Sequence, residues 1–271
     1  MNKALLVGIN NYPDPENHLS GCVNDVTDMA DFLTNKESFS MNDVRLLTDD
    51  RATKANIVER LKWLVADVKA GDRLVFLYSG HGAQLATRDK TGEVDKKDEI
   101  ICPWDFDWTD ATSIRDNEFN KIFQTVPIGV SFMWLSDSCH SGGLTREIKP
   151  KTKHKSKSKF IAAPADIHWR NVTADTLNVK SNKLVPSDKL NVALISGCQS
   201  NQTSADASFN NRNNGAMTYY LLKTLKTASG LKMPLNDLVK QINADLNKAG
   251  YTQNPQLEGN KALMKKPFLI A

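Results

Sequence analysis

Residues 74–82 read Leu-Val-Phe-Leu-Tyr-Ser-Gly-His-Gly. Five apolar side chains in a row, without polar alternation, describe a strand covered on both faces. The glycines and histidine behind them describe a loop at its carboxyl end. Four further runs have this form: Ala4–Ile9, Val44–Leu47, Val130–Leu135 and Val192–Ile195. Between them apolar residues recur at helical spacing. Val23, Val26, Ala30 and Leu33 mark one helix, and Ile57, Leu61, Leu64, Val65 and Val68 a second. Phe119, Ile122 and Phe123 mark a third. Met217, Tyr220, Leu221 and Leu225 mark a fourth, and Leu235, Leu238, Ile242 and Leu246 a fifth. Short strands alternating with helices predict an α/β protein, a three-layer α/β/α sandwich around a mostly parallel central sheet.

The chain of 271 residues suits one large domain spanning 1–271. Its 40% hydrophobic residues and 14 glycines are ordinary for a globular protein. They exclude disorder of the whole chain, a collagen-like fold and a disulfide scaffold. One stretch, 145–190, interrupts the rhythm with lysines, three prolines (Pro150, Pro164 and Pro186) and few apolar clusters. It reads as a flexible insertion between a front part (1–144) and a back part (191–271).

The net charge is +4, but Lys149, Lys151, Lys153, Lys155, Lys157 and Lys159 crowd into this insertion. Without these six the acidic residues outnumber the basic ones by two, so the body is near neutral and nucleic acid is not an expected partner. The four cysteines, Cys22, Cys102, Cys139 and Cys198, form no Cys-x-x-Cys pair, which suits a reducing compartment. The amino-terminal apolar run is too short for a signal peptide, and no stretch approaches a membrane span. The expectation is a soluble, cytoplasmic protein.

Chemistry concentrates behind two of the strands. One is followed by Ser79-Gly80-His81-Gly82, the other by Ser136-Asp137-Ser138-Cys139-His140-Ser141-Gly142-Gly143. Open parallel sheets bind ligands outside the carboxyl ends of their strands. A cysteine attacks a carbonyl as its thiolate and needs a base close by. A histidine has the acidity to take that proton and return it to a leaving amine. A Cys–His pair here is a candidate for acyl transfer, most simply peptide hydrolysis. His140 is a rival base, but as the direct neighbour of Cys139 its ring is expected to point away from the thiol.

These motifs resemble the metacaspases, relatives of the caspases. The resemblance is carried by ALLVGINNY (4–12), Cys22-Val23-Asn24-Asp25, YSGHG (78–82), Asp98–Pro103 and DSCHSG (137–142), and further on by ISGC (195–198), QTSAD (202–206) and GAMT (215–218). It implies a caspase-like fold and a cysteine endopeptidase. Cys139 would be the nucleophile and His81 the general acid/base. The backbone N–H groups of Gly82 and Cys139 would form the oxyanion hole. Caspases have Gln two positions before the nucleophile, where this chain has Asp137. A carboxylate there favours a cationic P1 side chain, the residue ahead of the cut bond. The resemblance adds Asp25, Cys22 and Ser79 to the same S1 pocket. Cleavage is therefore expected after Arg or Lys, with Arg the better fit to two carboxylates.

The chemistry needs no cofactor, but the resemblance makes calcium a candidate activator. Asp98, Asp116 and Asn117 resemble the family's acidic calcium positions, with Asn117 standing where a second aspartate is usual. Arg146 stands where calcium-binding relatives are acidic, and a cation there opposes the ion. The lysine-rich segment lies where the family is processed, so self-cleavage is expected at Arg146 or among Lys149, Lys151, Lys153, Lys155, Lys157 and Lys159. By default such a run is a solvated tract. Cys22 and Cys198 read as packing residues, and Asp206 as a cleft border or a simple turn. The resemblance suggests a monomer acting on protein or peptide substrates, with no membrane partner.

Rival classes are poorer matches. A phosphatase Cys-x5-Arg loop would need Arg where Thr145 stands, and no four Cys/His ligands sit at zinc spacing. A non-catalytic caspase-like scaffold would typically lack the nucleophile or the histidine, and both are present. A caspase-like peptidase with another P1 preference is the remaining alternative.

Overall fold

The structure is a computed structural model that describes residues 1–86, 97–139, 156–167, 187–199 and 202–270. In chain order its strands begin with β1 (Asn2–Gly8), β2 (Val44–Thr48), β3 (Arg73–Ser79), β4 (Gly82–Ala86), β5 (Lys97–Ile101) and β6 (Ile114–Arg115). They continue with β7 (Ser131–Asp137), β8 (Ser156–Ser158), β9 (Ala193–Ser196), β10 (Ala205–Phe209), β11 (Arg212–Gly215) and β12 (Gln256–Gly259). The main helices are α1 (Cys22–Lys36), α2 (Lys54–Val65), α3 (Asp116–Phe123), α4 (Ala216–Leu225) and α5 (Leu235–Lys248).

Six strands form the central sheet in the order β12-β9-β7-β3-β1-β2. Every pair in it is parallel except β12 with β9. All five apolar runs of the sequence lie in it. Their side chains alternate between two cores, as the period of a strand requires. From β1, Ala4 and Leu6 join one core while Leu5 and Val7 join the other; β3 divides Val75 and Leu77 from Leu74, Phe76 and Tyr78. Helices α1, α4 and α5 cover the first face through residues such as Met29, Phe32, Leu221 and Ile242. Helices α2 and α3 cover the second through Ile57, Leu61, Phe119 and Phe123. The result is the three-layer α/β/α sandwich. The front part of the chain supplies β1, β2, β3 and β7, and the back part adds β9 and β12.

Two small antiparallel sheets stand beside it, β4-β5-β6 and β11-β10-β8. The apolar runs do not mark them, because their strands are short and carry at most three apolar residues each. The second helical stripe also ends earlier than its periodicity suggests. Helix α2 stops at Val65, Ala66 turns to extended backbone, and Val68 packs on the core from beyond the helix. The terminal carbonyls are satisfied by a side chain from β1: Lys3 Nζ donates to Trp63 O at 3.1 Å and to Ala66 O at 2.8 Å. No helix among the described residues is long and apolar enough to cross a membrane.

The insertion is not one uniform flexible loop. Residues 156–158 form β8 within the lysine run, paired with β10 in the register Ser158↔Ala205, Lys157↔Asp206 and Ser156↔Ala207. Polar serines and lysines form a strand here because β10 offers an open edge whose backbone groups need partners.

The aromatic cluster on the second face fixes how α3 meets the sheet. Phe76 is fully buried, with its ring 5.8 Å from Phe119 and 6.1 Å from Trp134 between centroids. Phe76→Ala is expected to cost about 3–5 kcal/mol of unfolding free energy in a urea titration. A loss under about 1 kcal/mol would mean that this cluster does not hold the layer.

Candidate active site

The first turn of α1 and the carboxyl ends of β3 and β7 converge, as the parallel sheet requires. They bring together the four residues expected to form S1. Cys22, Asp25, Ser79 and Asp137 are all fully buried. Two carboxylates enclosed this closely repel each other and are costly without a cation. The chain supplies one. Lys159 is fully buried between them, with Nζ 3.3 Å from Asp25 Oδ2 and 3.2 Å from Asp137 Oδ1, and it donates to Ser79 Oγ at 2.9 Å. Far from being solvated, the last lysine of the run fills the pocket.

The cage has further donors. Ser79 Oγ donates to Asp25 Oδ2 at 2.7 Å, Asn214 Nδ2 to Asp25 Oδ1 at 3.0 Å, and Gly215 N to both Asp25 oxygens at 2.9 Å. Asp137 accepts from Ser204 Oγ at 2.6 Å, Thr218 Oγ1 at 2.7 Å and Thr218 N at 3.0 Å. The two acids end up unequal. Burial pushes Asp25 up to about 6, even though Lys159 pulls it down, and the Asp137 charge adds to the rise. Burial acts on Asp137 too, but Lys159 and the Ser204 and Thr218 bonds outweigh it and hold that carboxyl below its ordinary value. Cys22 lines the cage as a thiol that burial keeps protonated.

The backbone of Lys159 is held as closely as its side chain. Its carbonyl oxygen accepts from Gly82 N at 3.0 Å and from Cys139 N at 3.2 Å, the two donors expected to bind an oxyanion. Lys159 N donates to Ser204 O at 3.1 Å, and Ile161 N donates to Gly82 O at 3.0 Å. With β8 paired to β10, residues 156–161 run through the site in extended form, anchored on both sides of Lys159.

His81 is buried and clamped. Its N–H donates to Tyr12 Oη at 2.8 Å, and Tyr78 Oη donates to His81 O at 2.6 Å. The Tyr12 ring packs 4.9 Å from the imidazole. Nε2 lies 2.8 Å from Asn17 O, a carbonyl that only accepts, so Nε2 carries the proton. Nδ1 is buried, with no hydrogen-bond partner among the described residues. Burial pushes the imidazole down to about 4, with the Lys159 and Lys157 charges adding to the fall, so it is neutral near pH 7. A neutral ring with a free Nδ1 is a base awaiting a proton.

Cys139 is fully buried under this segment. Its Sγ accepts from Ser204 N in a very short contact and lies 3.6 Å from Cys198 Sγ. Burial first, and Cys198 next, push the thiol well above its ordinary value. Among the described residues no hydrogen bond joins Cys139 Sγ to His81.

The calcium positions are arranged differently. Asp98 is buried against the Arg115 guanidinium in a very short ion pair, and Arg115 also holds Asp110 at 2.8 Å. Asp116 Oδ1 accepts from Asn117 N at 2.7 Å. Among the described residues no group of three or more His, Cys, Asp or Glu is assembled for a metal ion. As placed, Asp98 is committed to a cation of the chain and the three residues do not fit calcium. Arg146, Lys149, Lys151, Lys153, Lys155 and His140 lie outside the described residues. Lys157 is exposed, with Nζ donating to His18 O at 2.7 Å.

Sequence reasoning missed the helpers: Asn17 acts through its backbone carbonyl, and Ser204, which acts through backbone and hydroxyl alike, gave no signal of its own beyond lying in or beside a quoted motif, nor did Asn214, Gly215 and Thr218. It left Asp206 open. Asp206 is buried, and its Oδ2 accepts from Ser20 N at 2.6 Å just ahead of α1, so it braces the loop that leads into Cys22 and Asp25.

Comparison with known proteins gives the chain relatives. A family model described as "Metacaspase, peptidase C14 domain" matches residues 2–146. The chain is 35% identical to metacaspase-1 of Meyerozyma guilliermondii over 298 aligned positions, covering 95% of this chain and 69% of that protein. It is 35% identical to metacaspase-1 of Kluyveromyces lactis, covering 94% of this chain and 65% of the relative. It therefore spans about two-thirds of the length of these relatives. A crystallographically determined protein of Geobacter sulfurreducens aligns over 100% of this chain and 98% of its own, with a TM-score of 0.69 and 25% identity.

Gly215 tests the cage. A Cβ there would stand under 3.0 Å from Asp137 Oδ2, Lys159 Nζ and Asp25 Oδ2. In a Cys139→Ala background, Gly215→Ala is expected to expel Lys159, so that added trypsin cuts after Lys159 much faster than in the parent. Equal trypsin resistance would mean that the pocket does not hold the lysine.

Proposed function

The chain belongs to the metacaspase family and is a cysteine-type endopeptidase, a hydrolase of protein substrates, and we propose that it cuts after basic residues, beginning with its own Lys159–Phe160 bond. One observation carries this reading: Lys159 puts its ammonium between Asp25 and Asp137 while its carbonyl oxygen sits on Gly82 N and Cys139 N. A residue held at both ends in this way has the pose of a P1 residue ahead of attack. Of the positions expected for processing, Lys159 is the one this geometry favours.

The roles follow from the atoms. Cys139 Sγ gives its proton to His81 Nδ1 and attacks the Lys159 carbonyl carbon. The two backbone N–H groups already on the carbonyl oxygen strengthen as it becomes an oxyanion. His81 then protonates the Phe160 nitrogen as the C–N bond breaks, with Nε2–H held on Asn17 O throughout. Water, deprotonated by His81, releases the thioester. In the resting chain the buried thiol is protonated, so the attack waits on proton transfer within the site.

The cage also supports specificity for other substrates. A neutral or acidic P1 residue would leave two enclosed carboxylates facing each other, a costly arrangement. A lysine satisfies them through one point charge. An arginine fork can address both acids at once, which favours Arg.

The chain should cut itself on incubation, giving a fragment whose amino-terminal sequence begins Phe-Ile-Ala-Ala. Cys139→Ala should stay whole, Lys159→Arg should still be cut, and Lys159→Gln should not be cut at this bond. Processing of Lys159→Gln at Phe160 would sink the S1 assignment. Running the incubation with calcium and with chelator decides the calcium expectation directly, since Asp98 held by Arg115 predicts equal rates.

On peptides, Asp137→Ala is expected to weaken cleavage after Arg by about 2–5 kcal/mol in kcat/KM, roughly 30-fold or more. The pH dependence has a definite sign. Asp25 is near 6 with the Lys159 cation pulling it down, so in the emptied pocket it loses its charge at or above that value as pH falls, and KM for a basic peptide should rise as pH falls toward 6. A KM unchanged between about pH 5 and 8, on either side of the Asp25 value, would show that Asp25 does not bind the P1 cation.

A further inference from the structure

The peptidase reading leaves one nucleophilic side chain beside the site without a task. Strands β7 and β9 pair in parallel up to Ser136↔Ser196, and the ladder continues one bond further, from Gly197 N to Ser136 O at 2.8 Å. Cys139 and Cys198 therefore leave adjacent strand ends side by side, and their Sγ atoms stand 3.6 Å apart. Neighbouring strands are about 4.8 Å apart, inside the roughly 4.4–6.8 Å between Cα atoms that a disulfide spans. Only a modest side-chain rotation separates this contact from a bond. Cys198 is nearly buried, with Sγ also 3.3 Å from Gln202 O. The thiols of Cys22 and Cys102 are free and buried as well, but neither is bonded to another cysteine among the described residues.

We propose that Cys139 and Cys198 form a reversible modification site, oxidised by a hydroperoxide to a disulfide that removes the nucleophile. In the first step the Cys139 thiol passes its proton to His81 and the resulting thiolate attacks the outer peroxide oxygen. An S–O bond forms, the O–O bond breaks, and the leaving oxygen takes that proton back from His81 and departs as the alcohol (water, when the oxidant is hydrogen peroxide), so Cys139 becomes a sulfenic acid. In the second step Cys198 sulfur attacks Cys139 sulfur. The S–S bond forms, the S–O bond breaks, and the hydroxide leaves as water with the Cys198 proton. Two thiols lose two electrons and one peroxide gains them. A dithiol reverses the bond by exchange. Cys198 thereby protects the nucleophile, because a sulfenic acid without a partner thiol proceeds to the sulfinic acid, which a dithiol does not reduce. The segment across the site covers Cys139, so the pair opens to the oxidant when residues 156–161 leave the cleft.

The effect on activity rests on Cys139 being the peptidase nucleophile; the bond itself does not. The test treats the self-incubated full chain with hydrogen peroxide, blocks remaining thiols with N-ethylmaleimide and maps the peptides by mass spectrometry. Cleavage of an Arg peptide is followed before and after dithiothreitol. Cys198→Ser and Cys198→Ala serve as controls, each with its own cleavage rate before peroxide as the reference. The expected result is a linked Cys139–Cys198 peptide pair in the parent, with activity lost and then restored by dithiothreitol. In both variants Cys139 should be found as sulfinic acid, with activity not restored. A parent in which Cys139 overoxidises while Cys198 remains alkylatable would overturn the proposal, as would equal recovery of parent and variants. If the linked pair forms in a chain that cuts no peptide, the disulfide stands and the peptidase reading is what fails.

Discussion

Two carboxylates shut away from water need a cation between them. That single requirement organises the centre of this protein. Asp25 comes from the first turn of α1 and Asp137 from the last residue of β7, and both are fully buried. Hydrogen bonds from Ser79, Ser204, Asn214, Gly215 and Thr218 reduce the cost without removing it. These donors come from the main sheet, from the small antiparallel sheet and from the start of α4. The cation seat is therefore the point where the two sheets and two helices are held together. Lys159 completes the electrostatic structure that the two acids would otherwise leave unbalanced.

The parallel sheet makes this convergence possible. Strands that point the same way deliver their carboxyl ends to one edge. There β3 presents Ser79 and, just past its end, His81, while β7 presents Asp137 and then Cys139. Binding pocket and reacting groups are thus separated by only two residues along each strand. This spacing lets the Lys159 carbonyl rest on Gly82 N and Cys139 N while its side chain reaches the acids.

Much of this was legible in the sequence because the signals were local. Apolar runs of four to six residues marked five of the six strands of the central sheet, and helical spacing marked all five main helices. The sixth strand, β12, is Gln-Leu-Glu-Gly, an edge strand with too little apolar content to register. The cysteine, the histidine and the acid two places before the nucleophile stood out by residue type and by their place behind strands. Lys159 did not, since one lysine in a Lys-x-Lys repeat looks like the next and only the partner acids tell it apart. Asn17 contributes a backbone carbonyl, and Ser204 meets Cys139 through its backbone N–H, atoms that no residue type announces. Asp98 shows the opposite limit: an acid quoted for a metal site is held by Arg115, seventeen positions away.

The strand pairing of β8 with β10 has a kinetic consequence. Were the Lys159–Phe160 bond cut as proposed, Lys159 would carry a new carboxylate and remain joined to Cys139 through only nineteen intervening residues. Nothing in the cut itself would remove the side chain's contacts with the cage or the ladder that joins β8 to β10 in the intact chain. The product of a first turnover at this bond would therefore be a tethered competitive inhibitor. Its grip is set by the effective concentration that the tether imposes, and dilution cannot loosen it. Cutting and opening are separate events in such a chain, and the second is governed by how well an incoming basic segment competes for the edge of β10.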